Sequence, residues 1–330
     1  MKKHFVRDLV PNARVTSVFA VKSKSLASFR NKPGQYMNLV LCDRTGEIKG
    51  RVWDRAEELA AGFEVGDVVL ASGRVEEYQG TLQFVLSEVV LAPEGTYDPA
   101  ELIARSGKSP DELLEGLDAA VAQVTQPYLR ALLDSFVTDE DFRRNFAWAP
   151  GSKTLHHSYA GGLLEHTLSV VALLNTAADM HPELDRDLLI TGGLLHDLGK
   201  MRELGGAITV DYTDLGRFVG HTVLTDRWVG EKIAQIDGFP TELANLLTHM
   251  LLSHHGERDW GAPVVPSTME ACALHFADNL DAQVQGFKQV IQRGERTGGW
   301  SEYHPLYQRA IYRGRPSEPG DEAVVPAEDA

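Results

Sequence analysis

The hydrophobic pattern of this chain changes its period once, and that change constrains the fold more than any other feature. Up to about residue 92, β-branched and aromatic residues form short alternating runs between turns rich in Gly, Pro and Asp. After the segment 93–99, which contains two prolines and a glycine, apolar residues recur at helical spacing. The sequence therefore predicts an all-β domain followed by an all-α domain, which 330 residues are long enough to build.

Five strands are predicted in the first domain, with one short helix between the third and the fourth. The predicted strands are Val15–Val21, Tyr36–Cys42, Ile48–Trp53, Val68–Tyr78 and Thr81–Ala92, and the predicted helix is Asp54–Ala61. This order is that of the OB-fold, a small barrel that binds oligonucleotides and oligosaccharides. We therefore expect residues 1–92 to form an OB-fold barrel that binds nucleic acid.

The third strand carries a candidate surface for a nucleic-acid strand. Alternation places Lys49, Arg51 and Trp53 on one face, and cations beside an aromatic ring are what a single strand needs. An alternative is equally open, in which Trp53 caps the barrel core and both cations are simply solvated. Further basic residues are predicted around the connection between the first two strands: Lys22, Lys24, Arg30 and Lys32.

The charge is unevenly distributed along the chain. The formal net charge is −15, which is unfavourable for binding polyanions. Residues 1–92, however, hold 13 Lys and Arg against 11 Asp and Glu, whereas the remainder holds 19 against 36. We expect a nucleic acid to meet the N-terminal domain first.

Beyond residue 99 the pattern predicts a bundle of helices with one small β-hairpin. Helices are predicted after Ser109, which precedes Pro110, and at Tyr128–Phe136, Asp139–Phe146, Gly162–Ala178, Asp187–Leu198, His221–Ile236, Thr241–His254 and Thr268–Gly286. The predicted hairpin strands are Ala207–Tyr212 and Arg217–Val219. We expect a linker with leading helices at 93–127, the helical domain at 128–314, and a disordered acidic tail at 315–330.

Several sequence features point to a cytoplasmic protein that has no contact with membranes. No run of about 18 apolar residues exists, and no secretory signal is visible in residues 1–11. Only two cysteines occur, Cys42 and Cys272, and both are expected to be reduced packing residues.

Histidines and aspartates recur near predicted helix ends between residues 166 and 278. In chain order they are His166, His196, Asp197, His221, His254, His255 and Asp278. Adjacent imidazole and carboxylate groups can bind one divalent cation, and a second carboxylate oxygen can bridge to another. Lys200 shares a helix face with His196 and can pair with a phosphate. Each residue alone is more often a surface side chain, and only the complete set indicates a metal site.

This order resembles the HD-domain phosphohydrolases, in particular those with two metals. The stretches HHSYAGGLLEHT, GGLLHDLGK, YTDLGRFVGH, SHHGERDWGAP and EACALHFADNLDA are similar to those of the YhaM-type 3′→5′ exoribonucleases, which also carry an N-terminal OB-fold. The likeness covers about residues 10–310. One departure is Asp214, where the family pattern leads us to expect Glu; it is not a ligand position.

The resemblance implies a role for each residue of the set. A first metal would be held by His166, His196, Asp197 and Asp278, and a second by His221 and His254, with His255 as a further candidate and Asp197 bridging. Asp197 and Lys200 would be the catalytic pair, with Lys200 on the scissile phosphate. His156 and His157 would line the pocket or have a structural role. The resemblance favours Mn²⁺. The mixed ligands suit Mn²⁺ or Fe²⁺, and Mg²⁺ less well, with Co²⁺ as a further candidate.

The predicted function is metal-dependent 3′→5′ hydrolysis of single-stranded RNA, with DNA as a second candidate substrate. Two alternatives stay open: an HD phosphodiesterase for a small nucleotide or cyclic dinucleotide, and a non-catalytic single-strand-binding protein. The residues leave a monomer and a homo-oligomer equally open.

Overall fold

The N-terminal part of the chain is a closed five-stranded barrel. The structure is a computed structural model that describes residues 4–153, 157–206, 210–293 and 299–314. The strands are β1 Arg14–Ser28, β2 Gln35–Asp43, β3 Gly46–Val52, β4 Val68–Tyr78 and β5 Thr81–Leu91. Around the barrel their order is β1-β2-β3-β5-β4, antiparallel except for the pair β3 and β5. The predicted OB-fold plan is confirmed.

Strand β1 is longer than predicted. After a bulge it continues past Val21 to Ser28 and pairs with β2. Most residues of the extension are polar, so they show no hydrophobic alternation that would reveal a strand. Lys22 and Lys24 therefore lie on β1, whereas we expected them around the connection to β2. The other two basic residues lie in that connection: Arg30 and Lys32.

One face of each strand builds the barrel core. Phe19 and Phe84 are fully buried and meet edge to face at 5.9 Å between ring centroids. On β3, Ile48, Gly50 and Val52 are buried and point inward, so Lys49, Arg51 and the following Trp53 point outward, as the alternation predicts. Helix α1, Ala56–Ala60, lies between β3 and β4 as expected.

The C-terminal part is helical. Its helices are α2 Pro110–Ala122, α3 Pro127–Val137, α4 Glu140–Trp148, α5 Gly162–Met180, α6 Arg186–Leu195, α7 Lys200–Glu203, α8 Asp214–Val219, α9 His221–Ile233, α10 Thr241–Ser253 and α11 Met269–Arg293. Leu117 of α2 belongs to the same buried core as Leu174 of α5 and Leu274 of α11. Because α2 is part of this core, we propose that the helical domain extends from α2.

Helix ends follow the sequence signals in some places and depart from them in others. The predicted start after Ser109 is confirmed, because Ser109 and Glu112 form a reciprocal capping box. The helix predicted to reach Leu198 ends at Leu195 instead. The connection to α7 then consists of tight turns with hydrogen bonds between residues i and i+3. One example is the bond from Lys200 N–H to the Asp197 carbonyl at 2.9 Å.

The small hairpin exists, but both of its strands lie earlier in the chain than predicted. Strand β6, Leu204–Gly205, pairs with β7, Asp211–Tyr212. Residues 217–219 belong to helix α8, which begins because the Thr213 hydroxyl accepts a hydrogen bond from Gly216 N–H at 2.9 Å. Phe218 and Val219 are both apolar, and this short apolar run favoured a strand in the sequence. Part of the predicted first strand, 207–209, lies outside the described residues, as does the predicted disordered tail.

Two expectations about the chain as a whole can be compared with the structure. Among the helices described here, none is both long enough and apolar enough to cross a membrane. Neither cysteine forms a disulfide with another described residue, and Cys272 is exposed on α11, so the expectation that it packs in the core is wrong.

Candidate metal centre and strand-binding surface

The predicted ligand side chains converge although they come from separate helices. His166 lies on α5 and Asp278 on α11. The others lie at helix ends, where the chain can turn several donors towards one point: His196 and Asp197 after α6, His221 at the start of α9, and His254 and His255 after α10.

Gly199 allows the segment with His196 and Asp197 to approach α9 closely. A Cβ at this position would lie 2.1 Å from the His221 carbonyl oxygen and 2.8 Å from the Thr225 nitrogen. The Gly199 N–H also donates to the Thr225 hydroxyl at 2.8 Å. Any side chain here would therefore separate the two halves of the site. This close approach therefore requires a glycine at position 199.

One group of donors surrounds the Oδ2 atom of Asp197. The Nε2 atoms of His166 and His196 lie 3.5 and 3.4 Å from it, and 3.4 Å from each other. Asp278 Oδ1 lies 3.2 Å from His166 Nε2 and 4.0 Å from His196 Nε2. These are the four residues predicted for the first metal.

A second group faces the other oxygen of the same carboxylate. The Nε2 atoms of His221 and His254 lie 3.5 and 3.7 Å from Asp197 Oδ1. His255 joins this group, because its Nε2 lies 3.1 Å from that of His221. Asp197 thus presents one oxygen to each group.

The spacing and the unmet polar groups of this cluster fit divalent cations. Ligand atoms about 2.1 Å from one ion lie about 3.0–3.4 Å apart, close to the separations found here. Two donor atoms of the cluster, Asp197 Oδ1 and His254 Nε2, are buried and have no hydrogen-bond partner among the described residues. Such atoms are costly to bury, and coordination to a cation would satisfy them.

Four imidazoles are oriented so that Nε2 points into the cluster. Each has an oxygen acceptor next to Nδ1, which places the proton there and the lone pair on Nε2. The pairs are His196 with the Gly193 carbonyl at 2.8 Å, His254 with the Leu251 carbonyl at 2.7 Å, His166 with Asp281 at 2.7 Å, and His221 with Glu203 at 3.1 Å. Neutral histidine in this tautomer is the form that binds metals.

The electrostatics of the cluster keep its carboxylates ionised. Burial by itself would raise the pKa of Asp197, but Lys200 and the neighbouring imidazoles hold it well below its usual value. The same competition between burial and hydrogen bonding to His166 lowers the pKa of Asp278. Burial lowers the pKa of His254, so this ligand candidate is neutral. The cluster therefore combines two anions with at least one neutral nitrogen donor, His254.

Lys200 connects the cluster to an open cavity. Its Nζ lies 2.6 Å from Asp197 Oδ2 on a side chain that is largely buried. Burial would lower its pKa, but the charges of Asp197 and Asp278 outweigh burial and raise it, so the amine is protonated. A cavity of about 180 Å³ is lined by the carboxylates of Asp197 and Asp278 and by Lys200 and His255. Trp260 also lines this cavity.

The outer face of the barrel carries aromatic rings next to cations. Trp53 is 40% exposed, so it does not cap the core; it lies 5.1 Å from Tyr36 and 6.2 Å from Phe29 between ring centroids. Arg51 lies 5.5 Å from the Tyr36 ring, and Lys32 lies 4.1 Å from the Phe29 ring. Lys49 is exposed on the same face of β3. This cluster is called the aromatic surface below.

Two of the predicted basic contacts have internal partners. The Lys24 ammonium donates to the carbonyl oxygens of Ala60 and Phe63 and pairs with Glu64, with only 14% of its side chain exposed. The structure therefore gives Lys24 a role in holding α1 and the following turn. Lys22 pairs with Glu47 on the surface. Arg30 and Lys32 are exposed in the connection between β1 and β2.

Comparisons with known proteins agree with this architecture. Residues 163–283 match the family model of the HD domain, and residues 13–92 match that of an OB-fold nucleic acid binding domain. The 3′-5′ exoribonuclease YhaM of Halalkalibacterium halodurans is 31% identical over 308 residues, which are 92% of this chain and 94% of that protein. The chain belongs to the YhaM family.

Further relatives span the chain in the same way. The YhaM protein of Shouchella clausii is 31% identical over 88% of this chain and 90% of its own length.

Among solved structures, the second OB-fold domain of replication protein A from Methanococcus maripaludis is similar to part of the chain. It is 24% identical and covers 29% of this chain and 98% of that domain, with a TM-score of 0.24.

Behind the ligands of this YhaM-family chain lies a hydrogen-bonded relay that the sequence did not reveal. Asp281 Oδ2 accepts from His166 at 2.7 Å and lies 2.9 Å from His157 Nε2. His157 is fully buried and is not among the residues that line the cavity. Asp281 follows Asp278 by three residues on the same helix. This spacing places both carboxylates on one helix face and was the sequence signal that could have indicated Asp281. His156, the other predicted pocket residue, lies outside the described residues.

The chain of hydrogen bonds continues from His157 to Tyr159 and Glu165. His157 Nδ1 lies 2.9 Å from the Tyr159 hydroxyl, which donates to Glu165 at 2.8 Å. Burial and the bond to Glu165 raise the pKa of Tyr159, so the phenol is neutral. These contacts fix His157, and through Asp281 they fix the ring of His166.

Proposed function

We propose that this chain is a metal-dependent 3′→5′ exoribonuclease that shortens single-stranded RNA, with single-stranded DNA as a second substrate. The observation that carries the proposal is Asp197, whose two oxygens face two separate groups of imidazoles. A carboxylate in this position can bridge two cations, an arrangement common among enzymes that cleave phosphodiesters. The relatives are named 3′-5′ exoribonucleases, which supports the same reaction and polarity here.

The ligand sets follow from the two groups. His166, His196, Asp197 and Asp278 would hold one cation. The second would be held by Asp197 and three histidines: His221, His254 and His255. Mixed nitrogen and carboxylate donors favour Mn²⁺, with Fe²⁺, Co²⁺ and Mg²⁺ as other candidates. When bound, such cations neutralise charge on the phosphate and make a water nucleophile available at neutral pH.

The chain's own contribution to turnover would come from Lys200. Its ammonium has three N–H donors, and the carboxylate of Asp197 accepts from it at 2.6 Å. Because Lys200 also lines the cavity, it can share its charge with a phosphate held next to the ligands. A cation fixed before the substrate arrives stabilises developing charge without reorganisation. Lys200 would thus orient the scissile phosphate and stabilise its transition state.

The aromatic surface of the barrel would hold the strand upstream of the cleaved end. Bases stack on exposed rings irrespective of sequence, and the phosphates pair with nearby cations. Trp53, Tyr36 and Phe29 would supply the rings, and Lys49, Arg51, Arg30 and Lys32 the cations. The contacts of Lys22 and Lys24 favour structural roles for these two. A cytoplasmic location stays a prediction.

The proposal is tested with one RNA oligomer labelled at either end. With Mn²⁺ present, the 5′-labelled oligomer should give a descending ladder, and the 3′-labelled oligomer should release labelled mononucleotide from the first time point. An Asp197→Asn preparation controls for contaminating nucleases, and Asp237→Asn, an exposed aspartate, is the matched active control. Hydrolysis of a cyclic dinucleotide with no shortening of RNA would overturn the proposal.

A further inference from the structure

We propose that Trp260 is a binding platform on which the 3′-terminal nucleobase stacks while its phosphate occupies the metal centre. This inference rests on the proposed exonuclease function and extends it to the recognition of the nucleotide that is removed. Neither the candidate ligand set nor the aromatic surface includes Trp260.

Trp260 is an exposed aromatic residue of the cavity that contains the candidate reaction site. It ends a short 3₁₀ turn, Arg258–Trp260, and lines the same cavity as Asp197, Lys200 and Asp278. Trp260 is 57% exposed, so part of a large ring is accessible in the cavity that contains the groups expected to hold the phosphate. The next chemical group of a nucleic acid beyond that phosphate is a nucleoside.

The indole ring of Trp260 packs against the buried side chain of His275. The ring of His275 lies 5.9 Å from that of Trp260, with 38° between the ring planes. His275 is itself fixed, because its Nδ1–H donates to the His254 carbonyl at 2.9 Å. Gly256 makes this contact possible: it has a φ of +80°, and a Cβ there would lie 2.2 Å from the His275 ring. The platform is therefore built against the backbone of a candidate metal ligand.

Helix α11 supplies further residues to the lining of the cavity. Asp278, Asn279 and Ala282 lie at helical spacing there. The side chain of Ala282 is small, and the Asn279 amide offers polar atoms to a base edge or a sugar hydroxyl. An apolar ring, a small residue and one amide form the kind of lining found in ligand sites.

A nucleobase is the occupant that this chemistry favours. Each of the four bases has a π-face, so stacking would hold any terminal nucleotide without selecting a sequence. Trp300 offers a contrast, since it is equally exposed but packs against Tyr312 and does not line the cavity.

The experiment compares two 5′-labelled RNA oligomers that differ only at the 3′ end, one with an ordinary adenosine and one with an abasic ribose. The first cleavage is followed under single-turnover conditions with Mn²⁺. The wild type should remove the adenosine nucleotide about tenfold faster, the order expected for one base–aromatic stack. Trp260→Ala and Trp260→Leu should remove both at the slower rate, whereas Trp260→Phe keeps most of the preference.

The readout is a ratio of two rates, so loss of folded protein in a variant does not imitate the result. Trp300→Ala is the matched control and should behave as the wild type. A Trp260→Ala variant that keeps the preference for adenosine, or a wild type that cleaves both oligomers equally fast, would overturn the role of Trp260. A wild type that cleaves neither oligomer would instead overturn the proposed function itself.

Discussion

Oδ2 of Asp281 lies 2.7 Å from Nδ1 of His166, and the same oxygen is 2.9 Å from Nε2 of His157. Asp281 is not placed in either ligand group, yet it sets the direction in which His166 presents Nε2. The pKa of Asp281 is lowered, because its bonds to the two histidines outweigh the effect of burial, so it is ionised and accepts both protons.

We therefore expect Asp281→Leu to weaken Mn²⁺ binding about 10- to 100-fold, as loss of a carboxylate behind a ligating histidine does. Asp281→Asn should lose less, because an amide oxygen still accepts from His166. Calorimetric titration with Mn²⁺ measures both, with Asp237→Asn as the control. Unchanged affinity in Asp281→Leu would show that His166 needs no such support.

A second prediction concerns the pH dependence of metal binding. Burial by itself would lower the pKa of His166, but its hydrogen bonds to Asp278 and Asp281 raise it to about 9. In the metal-free protein this histidine is therefore protonated near neutral pH. An unfolded histidine has a pKa of about 6.5, so the protonated form stabilises the metal-free fold fully below about pH 6.5, and this contribution is lost as pH rises through about 9.

A cation that binds at Nε2 must displace this proton. Apparent Mn²⁺ affinity should rise roughly tenfold per pH unit between about pH 7 and 9 and level off above. Titrations in buffers that do not bind metals give the profile. In Asp281→Asn the plateau should begin at a lower pH, because one of the bonds that raise the pKa is weakened. An affinity that is flat across this range would contradict the assignment.

The third prediction separates the role of Lys200 from that of the ligands. Lys200→Met should lower kcat by about 100-fold, the loss typical for one group that stabilises transition-state charge. Its metal content should stay close to that of the wild type, because Lys200 donates no lone pair when protonated. Single-turnover cleavage together with metal analysis of the same sample tests this. Loss of metal in parallel with activity would mean that Lys200 only maintains the site.

The fourth prediction concerns the aromatic surface. Replacing both Lys49 and Arg51 by Ala should weaken binding of single-stranded RNA and reduce the slope of log affinity against log salt by about 1.4, since each phosphate contact on a single strand contributes about 0.7. The matched double variant Lys108→Ala with Arg144→Ala removes the same charge from exposed positions of the helical part. Equal slopes in the two double variants would indicate that only net charge matters.

Much of this architecture could be predicted from the sequence because its signals are local. Alternation gave the strands of the barrel, and the turn between β4 and β5 follows Gln79-Gly80. Ser109 before Pro110 predicts a helix start, and in the structure Ser109 forms a capping box with Glu112 at this position. The order of histidines and aspartates predicted which side chains come together, because the family resemblance carries spatial information that a single His-Asp pair does not.

What the sequence could not predict depends on contacts between distant segments. The polar end of β1 is a strand because β2 pairs with it, and Lys24 is covered because the α1 region folds over it. Phe218 and Val219 are apolar and β-prone, which predicts a strand, but they lie in helix α8, which Thr213 caps. Asp281 and Trp260 gain their importance only from neighbours far along the chain, His166 and His275.

The two groups of donors around Asp197 would hold two cations at a site that cleaves RNA, and metal content per chain measured beside turnover tests this most directly. After saturation with Mn²⁺ and removal of free metal, the wild type should hold about two ions and His221→Ala about one. Asp197→Asn, which keeps the size of the side chain, should lose turnover while its barrel still binds RNA. An Asp197→Asn protein with wild-type metal content and undiminished RNA cleavage would contradict the account.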